Sequence, residues 1–231
     1  MKTLIVLLLI THIAAGITAL LIGLVPMFSK KGSRLHNRTG LVYVYCMIAV
    51  AVTALLLCVL QPFKMMRLFL TGIAVLSFYL SVTGWRATKQ KNGERTAFDR
   101  GLTYLTMAVS LGMIAFGLYL STRSASFFAI TFLFFGILTF VFARRDYQFF
   151  QRPAEKMHWF FQHITRMGGS YIATFTAALV TNGNRLTPAN SPEWVGTITW
   201  IAPSIIGGLI ISRTVWYYKS KFASKANSTL A

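Results

Sequence analysis

The chain has 231 residues, of which 23 are lysine or arginine, 5 are aspartate or glutamate and 55% are hydrophobic. A soluble basic protein that binds nucleic acid carries far more than 12% charged residues, so the composition argues against nucleic acid as a partner. Apolar runs broken by short basic clusters indicate a polytopic membrane protein instead. The two cysteines, Cys46 and Cys58, lie in one apolar stretch without a C-x-x-C pattern, which argues against a disulfide framework or a thiolate metal site.

Seven apolar segments are long enough to cross a bilayer as helices, which satisfy their own backbone hydrogen bonds in lipid. They are 4–25, 40–60, 68–84, 102–120, 127–143, 159–180 and 195–212. The first segment follows Met1-Lys2 like a signal peptide, but it stays apolar as far as Val25, so we predict that it is retained. The expected fold is all-α, with a seven-helix transmembrane bundle over 1–212 and a basic tail over 213–231.

Basic residues alternate between the connections and predict the orientation. The stretches 28–39, 85–100, 144–158 and 213–231 hold 17 lysines and arginines, whereas the other ends and connections hold 5. The positive-inside rule therefore places the N-terminus outside and the C-terminus in the cytoplasm, which requires an odd number of spans. Four of the five tryptophans also fall at predicted span ends, where the headgroup boundary favours them.

The second, fourth and sixth spans share an arginine, a glycine and a tyrosine near their cytoplasmic ends. Gly40 with Tyr43, Gly101 with Tyr104 and Gly168 with Tyr171 repeat at roughly the length of one helical hairpin. This pattern predicts three hairpins of common design plus a seventh helix. Because these residue types are also common at cytoplasmic helix starts, the interface alone is the alternative explanation.

Four histidines are candidates for chemistry. The repeat places His36 and His163 at similar depth near the cytoplasmic face, where two imidazoles from facing helices could hold a haem or a metal. His158 could join a metal site with Asp146 or Glu155, although it cannot share one helix face with His163. The alternative is that these three only meet headgroups or water. His12 lies deeper, as a neutral imidazole bonded to another helix or as a proton relay.

Arg166 is the basic residue that loop charge bias does not explain, because it lies inside the sixth span. It either snorkels to the interface or meets a carboxylate or an anionic ligand. With Arg38, Arg100 and the N-terminal ends of three helices, it could bind a lipid phosphate, a carboxylate or a haem propionate. Alternatively, Asp99, Asp146 and Glu155 pair with these arginines and neutralise them.

Three stretches resemble a group of uncharacterised bacterial membrane proteins that share a domain of unknown function. They are 35–43 (LHNRTGLVY), 79–85 (YLSVTGW) and 158–171. The resemblance implies a location in the bacterial inner membrane. It implies no activity, cofactor or catalytic residue.

Three functional hypotheses follow. The first is a membrane redox or cofactor-binding protein with a haem or metal held by His36 and His163, and with Arg38 and Arg166 near an anionic group. The second is a transporter of a small anionic solute. The third is an accessory subunit without chemistry, whose basic surfaces bind anionic lipids or a membrane protein partner. Whether the chain is an enzyme stays open, and a zinc hydrolase is disfavoured because few acids are present to act as a general base.

Overall fold

The structure is a computed structural model that describes residues 1–124, 126–151, 157–186 and 191–228, with the backbone alone at 184, 186, 193 and 224–228. Within these residues the chain is all-helical. The helices are α1 (Lys2–Ile22), α2 (Leu24–Phe28), α3 (Arg34–Leu60), α4 (Met65–Ala87), α5 (Ala97–Ser121), α6 (Phe127–Phe149), α7 (His158–Thr181), α8 (Gly183–Leu186) and α9 (Glu193–Ser228). The expectation of an all-α membrane-type protein is confirmed.

Six helical segments of the described chain are long and apolar enough to cross a membrane. They are Lys2–Phe28, Arg34–Leu60, Met65–Ala87, Ala97–Ser121, Phe127–Phe149 and Trp194–Ala223. Each contains one of the segments expected from the sequence. The remaining long helix, α7, is less apolar because its polar side chains, Gln162 and Arg166 among them, face other helices rather than lipid.

Polar residues at the helix starts account for where several helices begin. The Ser33 hydroxyl accepts the His36 backbone N–H at 3.2 Å and caps α3. Thr96 and Asp99 form a reciprocal capping box at the start of α5, and Ser126 caps α6. These caps satisfy backbone donors that the first helical turn leaves unpaired.

Helix α7 lies at the centre of the bundle and contacts α1, α4 and α9. Helix α3 packs between α1 and α4, and α5 packs most extensively against α6. Each helix that carries the repeated glycine packs extensively on the next long helix of the chain: α3 on α4, α5 on α6, and α7 on α9. The contact of α4 with α5 is smaller, and few backbone contacts join α6 with α7. The expectation of three hairpins plus one further helix stays a prediction.

Helices α3 and α7 run parallel and in register. Tyr43 bonds Ser170 and Met47 accepts from Thr174, two pairs that are each separated by 127 residues. His36 and His163 have the same separation and also meet. The repeat pattern aligned Gly40 with Gly168, one residue away from this register, and it predicted similar depth for the two histidines. The structure brings their rings together, and their depth in a membrane stays a prediction.

Two apolar clusters fill the interior of the described residues. The larger one surrounds Phe69, whose ring lies 5.3 Å from the Phe132 ring and 4.9 Å from the Trp200 ring, so α4, α6 and α9 meet there. The smaller cluster joins Ala19, Tyr43 and Met47 from α1 and α3. Large apolar side chains on α1 are exposed along most of its length, as expected for a helix that faces lipid.

The boundary expected at residue 212 between bundle and tail does not appear as the end of a helix. Helix α9 continues through 212 to Ser228, and residues 229–231 lie outside the described part. Tyr218 and Phe222 on this extension pack against Phe160 at the start of α7, with ring centroids 5.3 and 5.5 Å apart. At least part of the basic tail is therefore a helix that packs on the bundle.

Two glycines of α5 allow a direct test of how closely α5 and α6 approach. A Cβ added at Gly117 would lie 2.9 Å from the backbone nitrogen of Leu133, whereas one at Gly112 would meet nothing within 4 Å. We expect Gly117→Ala to lower the midpoint of thermal unfolding in detergent, because the backbones must move apart. Gly112→Ala is the control, and it should leave the midpoint unchanged or raise it slightly because alanine favours helix. Equal midpoints for the two variants would contradict this close packing.

Candidate functional site

A stripe of four polar residues runs along the inner face of α7. Gln162, Arg166, Ser170 and Thr174 follow one another at intervals of four residues, and all four are buried. Residues at this spacing lie on one face of a helix, so the stripe points into the bundle along most of the length of α7. Their partners come from α3, α4 and α6.

Arg166 and Asp146 form a buried ion pair between α7 and α6. Arg166 Nη2 lies 2.7 Å from Asp146 Oδ1, and the two side chains are 4% and 6% exposed. The same guanidinium nitrogen donates to the Phe142 carbonyl at 3.0 Å, and Gln162 Nε2 donates to Asp146 Oδ1 at 3.0 Å. The Tyr79 hydroxyl donates to Asp146 Oδ2. The carboxylate thus has partners on both oxygens, as a buried charge requires.

Aromatic rings and a further arginine complete the surroundings of this pair. The Arg166 guanidinium carbon lies 4.6 Å from the centroid of the Phe142 ring and 5.2 Å from that of Tyr79, distances at which the ring faces attract a cation. Arg95 donates to Gln162 Oε1 at 2.7 Å and links the network to the loop between α4 and α5. Arg166 Nη1 is buried and has no hydrogen-bond partner among the described residues.

A chain of hydroxyl groups continues the stripe deeper into the bundle. The Tyr43 hydroxyl lies 2.8 Å from Ser170 Oγ and 3.1 Å from Thr174 Oγ1, and Ser81 Oγ lies 2.7 Å from Ser170 Oγ. Four side chains from α3, α4 and α7 therefore satisfy one another without water. Such interhelical hydrogen bonds hold membrane helices together where the hydrophobic effect cannot distinguish a helix from lipid.

The structure brings His36 and His163 together near the N-terminal ends of α3 and α7. Their ring centroids lie 6.2 Å apart with an interplanar angle of 65°. His36 Nδ1 lies 3.0 Å from the carbonyl oxygen of Pro26, and His163 Nδ1 lies 2.9 Å from that of Gly84. Neither Nε2 atom has a hydrogen bond to a described residue.

The two carbonyls determine the tautomer of each imidazole. A carbonyl only accepts, so Nδ1 must carry the proton in both rings, and in the neutral form Nε2 keeps its lone pair. Metal-binding histidines commonly donate the other ring N–H to a carbonyl or carboxylate, which fixes the ring orientation and raises the basicity of the ligand nitrogen. Both histidines therefore have the supporting contact that a ligand histidine needs.

Lys31 provides a positive charge beside this pair. Its ammonium group donates to the carbonyl oxygens of Pro26 and Met27 at 2.8 and 2.7 Å, so Lys31 and His36 share the Pro26 oxygen as acceptor. Partial burial lowers the pKa of the Lys31 ammonium. A ligand at the histidine pair therefore lies close to one fixed cation.

The other arginines expected at an anion site are not gathered there. Arg38 and Arg100 are exposed, and Arg166 points towards α6 rather than towards the histidine pair. Asp99 pairs with Arg86 at 2.5 Å, and Glu155 lies outside the described residues. Arg166 thus meets a carboxylate, as the alternative interpretation of the sequence had it.

His158 and His12 lie in separate surroundings. The His158 ring packs against the Phe149 ring with centroids 4.4 Å apart. His12 Nδ1 lies 3.1 Å from the Val50 carbonyl oxygen and 2.9 Å from Thr53 Oγ1, which binds α1 to α3. Among the described residues, no group of three histidine, cysteine or acidic side chains is placed to hold a metal ion, so a metal at the histidine pair needs ligands of another kind.

Several contributors to these sites were not found from the sequence. Tyr79, Gln162 and Ser170 were not singled out, although the four-residue spacing of Gln162, Arg166 and Ser170 in the sixth span was a usable signal. The carbonyls of Pro26 and Gly84 carry no signal in the sequence, because every residue has a carbonyl and only the packing of the helices selects these two.

Comparison of the chain with protein-family models, with curated proteins and with solved structures found no match. The functional argument therefore depends on the geometry of the two sites.

Because Arg166 and Asp146 are buried together, replacing one of them should lower the free energy of unfolding more than replacing both. We expect Asp146→Asn to lower the free energy of unfolding by about 3–5 kcal/mol, because it leaves the buried Arg166 without a carboxylate. Asp146→Leu combined with Arg166→Met removes both charges and should be more stable than either single variant. Thermal and denaturant unfolding of the purified variants in detergent measures these changes in stability.

Arg145→Gln serves as the control for this experiment, since Arg145 is the exposed neighbour of Asp146 in α6. It should unfold like the unmodified protein. If Asp146→Asn behaves like Arg145→Gln, the ion pair does not stabilise the bundle.

Proposed function

We propose that the chain is a seven-span protein of the bacterial inner membrane that binds a metal between His36 and His163. The single observation that carries the metal site is the contact of the two imidazoles, each with its Nδ1 bonded to a backbone carbonyl.

Helix α7 is proposed as the seventh span. It has 24 residues, enough at 1.5 Å per residue to cross the hydrocarbon core, and its polar groups are hydrogen-bonded inside the bundle. It runs parallel to α3 and in register with it. This direction is expected if α4, α5 and α6, which lie between α3 and α7 in the sequence, each cross the membrane once. The excess of basic residues in alternate connections then favours an N-terminus outside.

The inner membrane location rests on this charge bias and on the resemblance of three stretches to bacterial membrane proteins. The basic connections on the cytoplasmic side suit contact with anionic lipids, which attract lysine and arginine near the surface. They are equally suited to a membrane protein partner.

A metal ion suits the distance between the two imidazoles. When two histidines coordinate one metal through nitrogen at about 2.0–2.1 Å, their ring centroids lie roughly 5–6.4 Å apart, depending on the angle at the metal. The observed separation of 6.2 Å falls in this range. Both rings are already oriented by their carbonyl contacts, so little reorganisation is needed for binding.

Haem fits less well than a single ion. A porphyrin between the rings would extend over more than a helical turn in every direction from the iron. The carbonyls of Pro26 and Gly84 hold the rings on two sides, and Met167 packs beside Gly84 one turn deeper on α7. Helices α2, α4 and α7 would have to separate to admit it.

The charges around Arg166 do not favour anion transport through this position. Arg166 is the buried cation of the sixth span, but Asp146 already balances its charge and accepts its hydrogen bond. The other two arginines of the repeat are exposed. A permanent internal carboxylate leaves little attraction for a second anion at this position.

Metal content tests the proposed site. We expect the full chain, purified without chelators, to contain about one equivalent of a transition metal by elemental analysis. His36→Ala and His163→Ala should each remove most of it, because each takes away a ligand with its supporting contact.

His12→Gln is the control, because His12 is a partly buried histidine of the same bundle that bonds α3 instead of the site. It should keep the metal. A Soret band in the optical spectrum would identify haem as the occupant and overturn the single-ion proposal. Protein without metal that also binds none on titration would overturn the site altogether.

The orientation of α7 can be tested with single cysteines on its two flanks. After replacement of Cys46 and Cys58, we introduce Gln151→Cys and Asn182→Cys, both at exposed positions. In intact cells made permeable only at the outer membrane, an impermeant maleimide should label Asn182→Cys and not Gln151→Cys. Labelling of both from the same side would show that α7 does not cross the membrane.

A further inference from the structure

A basic cavity lies where α4 ends and α5 begins. It has a volume of about 570 Å³, opens to the surface, and is lined by the connection between the two helices. Its described side chains include three cations, Arg86, Lys89 and Lys91, together with Asn92 and one carboxylate, Glu94. The amide of Asn92 can donate to a ligand oxygen. A cavity of this size and charge can hold a small anionic group.

Buried contacts hold the walls of this cavity in place. Asp99 is 4% exposed and accepts from Arg86 Nε at 2.5 Å and from Gln90 Nε2 at 2.6 Å. Arg95 donates to Gln90 Oε1 at 2.7 Å and also to Gln162 on α7. The connection is therefore bonded to α4, α5 and α7 before any ligand is present. A site that is already ordered loses little conformational entropy when a ligand binds.

The described residues leave the cavity with one net positive charge. Asp99 is the partner of Arg86, so these two charges balance. Lys89 and Lys91 are both exposed, and Glu94 offsets one of them. The remaining charge is the complement of one phosphodiester, which carries a single negative charge.

The cavity lies at the level where lipid headgroups are expected. Residues 88–96 join two helices that are each long and apolar enough to cross a membrane, Met65–Ala87 and Ala97–Ser121. Lys91 Nζ lies 4.9 Å from the centroid of the Trp159 ring, and tryptophan is enriched at the boundary between headgroups and hydrocarbon. A ligand in the cavity can therefore keep a charged group outside the hydrocarbon and an apolar part within it.

An exposed apolar face of α5 continues from the cavity along the span. Phe98 and Leu105 are 52% and 57% exposed and are seven residues apart, so they lie on one face of the helix. The Arg86 guanidinium carbon lies 5.0 Å from the centroid of the Phe98 ring, which joins this face to the cavity. An acyl chain along Phe98 and Leu105 brings its headgroup to the cavity.

We infer that this cavity binds the phosphate group of an anionic phospholipid through Lys89, Lys91 and Asn92. A free phosphate ion offers the same group but lacks the chain that contacts the exposed face of α5. The inference rests on the proposed location in the membrane and adds a defined binding site to it. It does not depend on a metal at the histidine pair.

The test is isothermal titration calorimetry of the delipidated full chain in a non-ionic detergent. The probes are short-chain phosphatidylglycerol, diacylglycerol with the same chains, and inorganic phosphate. We expect phosphatidylglycerol to bind most tightly, because it alone has both the phosphate and the chains. Equal binding of diacylglycerol would overturn the phosphate site. Equal binding of inorganic phosphate would keep the phosphate site and overturn the phospholipid as its source.

Two double variants test whether the cavity is the site. Lys89→Gln combined with Lys91→Gln should weaken the binding of phosphatidylglycerol about tenfold, because it removes two cations that attract an anionic headgroup. Lys2→Gln combined with Lys64→Gln is the matched control, since it removes the same charge and Lys64 lies at the opposite end of α4. It should bind as the unmodified chain does. Equal affinities of the two double variants would overturn the site.

Glu94→Gln gives a change in the opposite direction, which misfolding does not produce. It removes the one carboxylate among the described lining residues and should tighten the binding of phosphatidylglycerol about threefold, since like charges repel. Unchanged or weaker binding would overturn the role of this charge balance.

The metal content of the same samples separates this inference from the proposed function. If the chain binds phosphatidylglycerol through the cavity but holds no metal, the metal site is overturned and the phosphate site remains. If it holds metal but binds no phosphatidylglycerol, the phosphate site is overturned and the metal site remains.

Discussion

The buried pair of Asp146 and Arg166 is the constraint around which this bundle is organised. An isolated buried charge costs several kcal/mol, so α7 can carry the buried Arg166 only where a carboxylate and other hydrogen-bond partners surround it. Tyr79 from α4, Asp146 and the Phe142 carbonyl from α6, and Gln162 from α7 itself provide them. This requirement places α7 in the centre and determines its rotation, because only one of its faces carries the polar stripe.

The rotation of α7 also positions the histidine pair. Once the stripe faces inward, Ser170 and Thr174 meet Tyr43 and Met47, and these contacts set the register between α7 and α3. Extending that register towards the N-terminal ends of the two helices brings His163 to His36. The candidate metal site is therefore a result of polar contacts made one to three turns deeper in the bundle. A change that shifts α7 by one residue would separate the imidazoles without altering either of them.

Hydropathy and charge patterning were sufficient for the fold class and for the six apolar spans, because the membrane demands long apolar helices whatever their partners are. The contact of His36 with His163 could be anticipated from their positions along the two helices. The rotation of each helix about its axis could not be anticipated. Arg38 and Arg166 were both expected near the histidines, and the structure turns one to the surface and the other towards α6. Which faces of two helices meet depends on contacts between residues far apart in the sequence, which periodicity alone does not specify.

The modest hydropathy of α7 has a consequence for how the protein is made. Membrane helices enter the bilayer in the order of synthesis, and α7 follows α6 by only a short connection. Until α7 is made, Asp146 has no arginine partner, and the polar stripe of α7 finds its hydrogen-bond partners only on α3, α4 and α6. The placement of α7 therefore depends on helices that are made before it. A chain truncated after α6 would keep its most apolar segments and would leave the Asp146 carboxylate without its arginine.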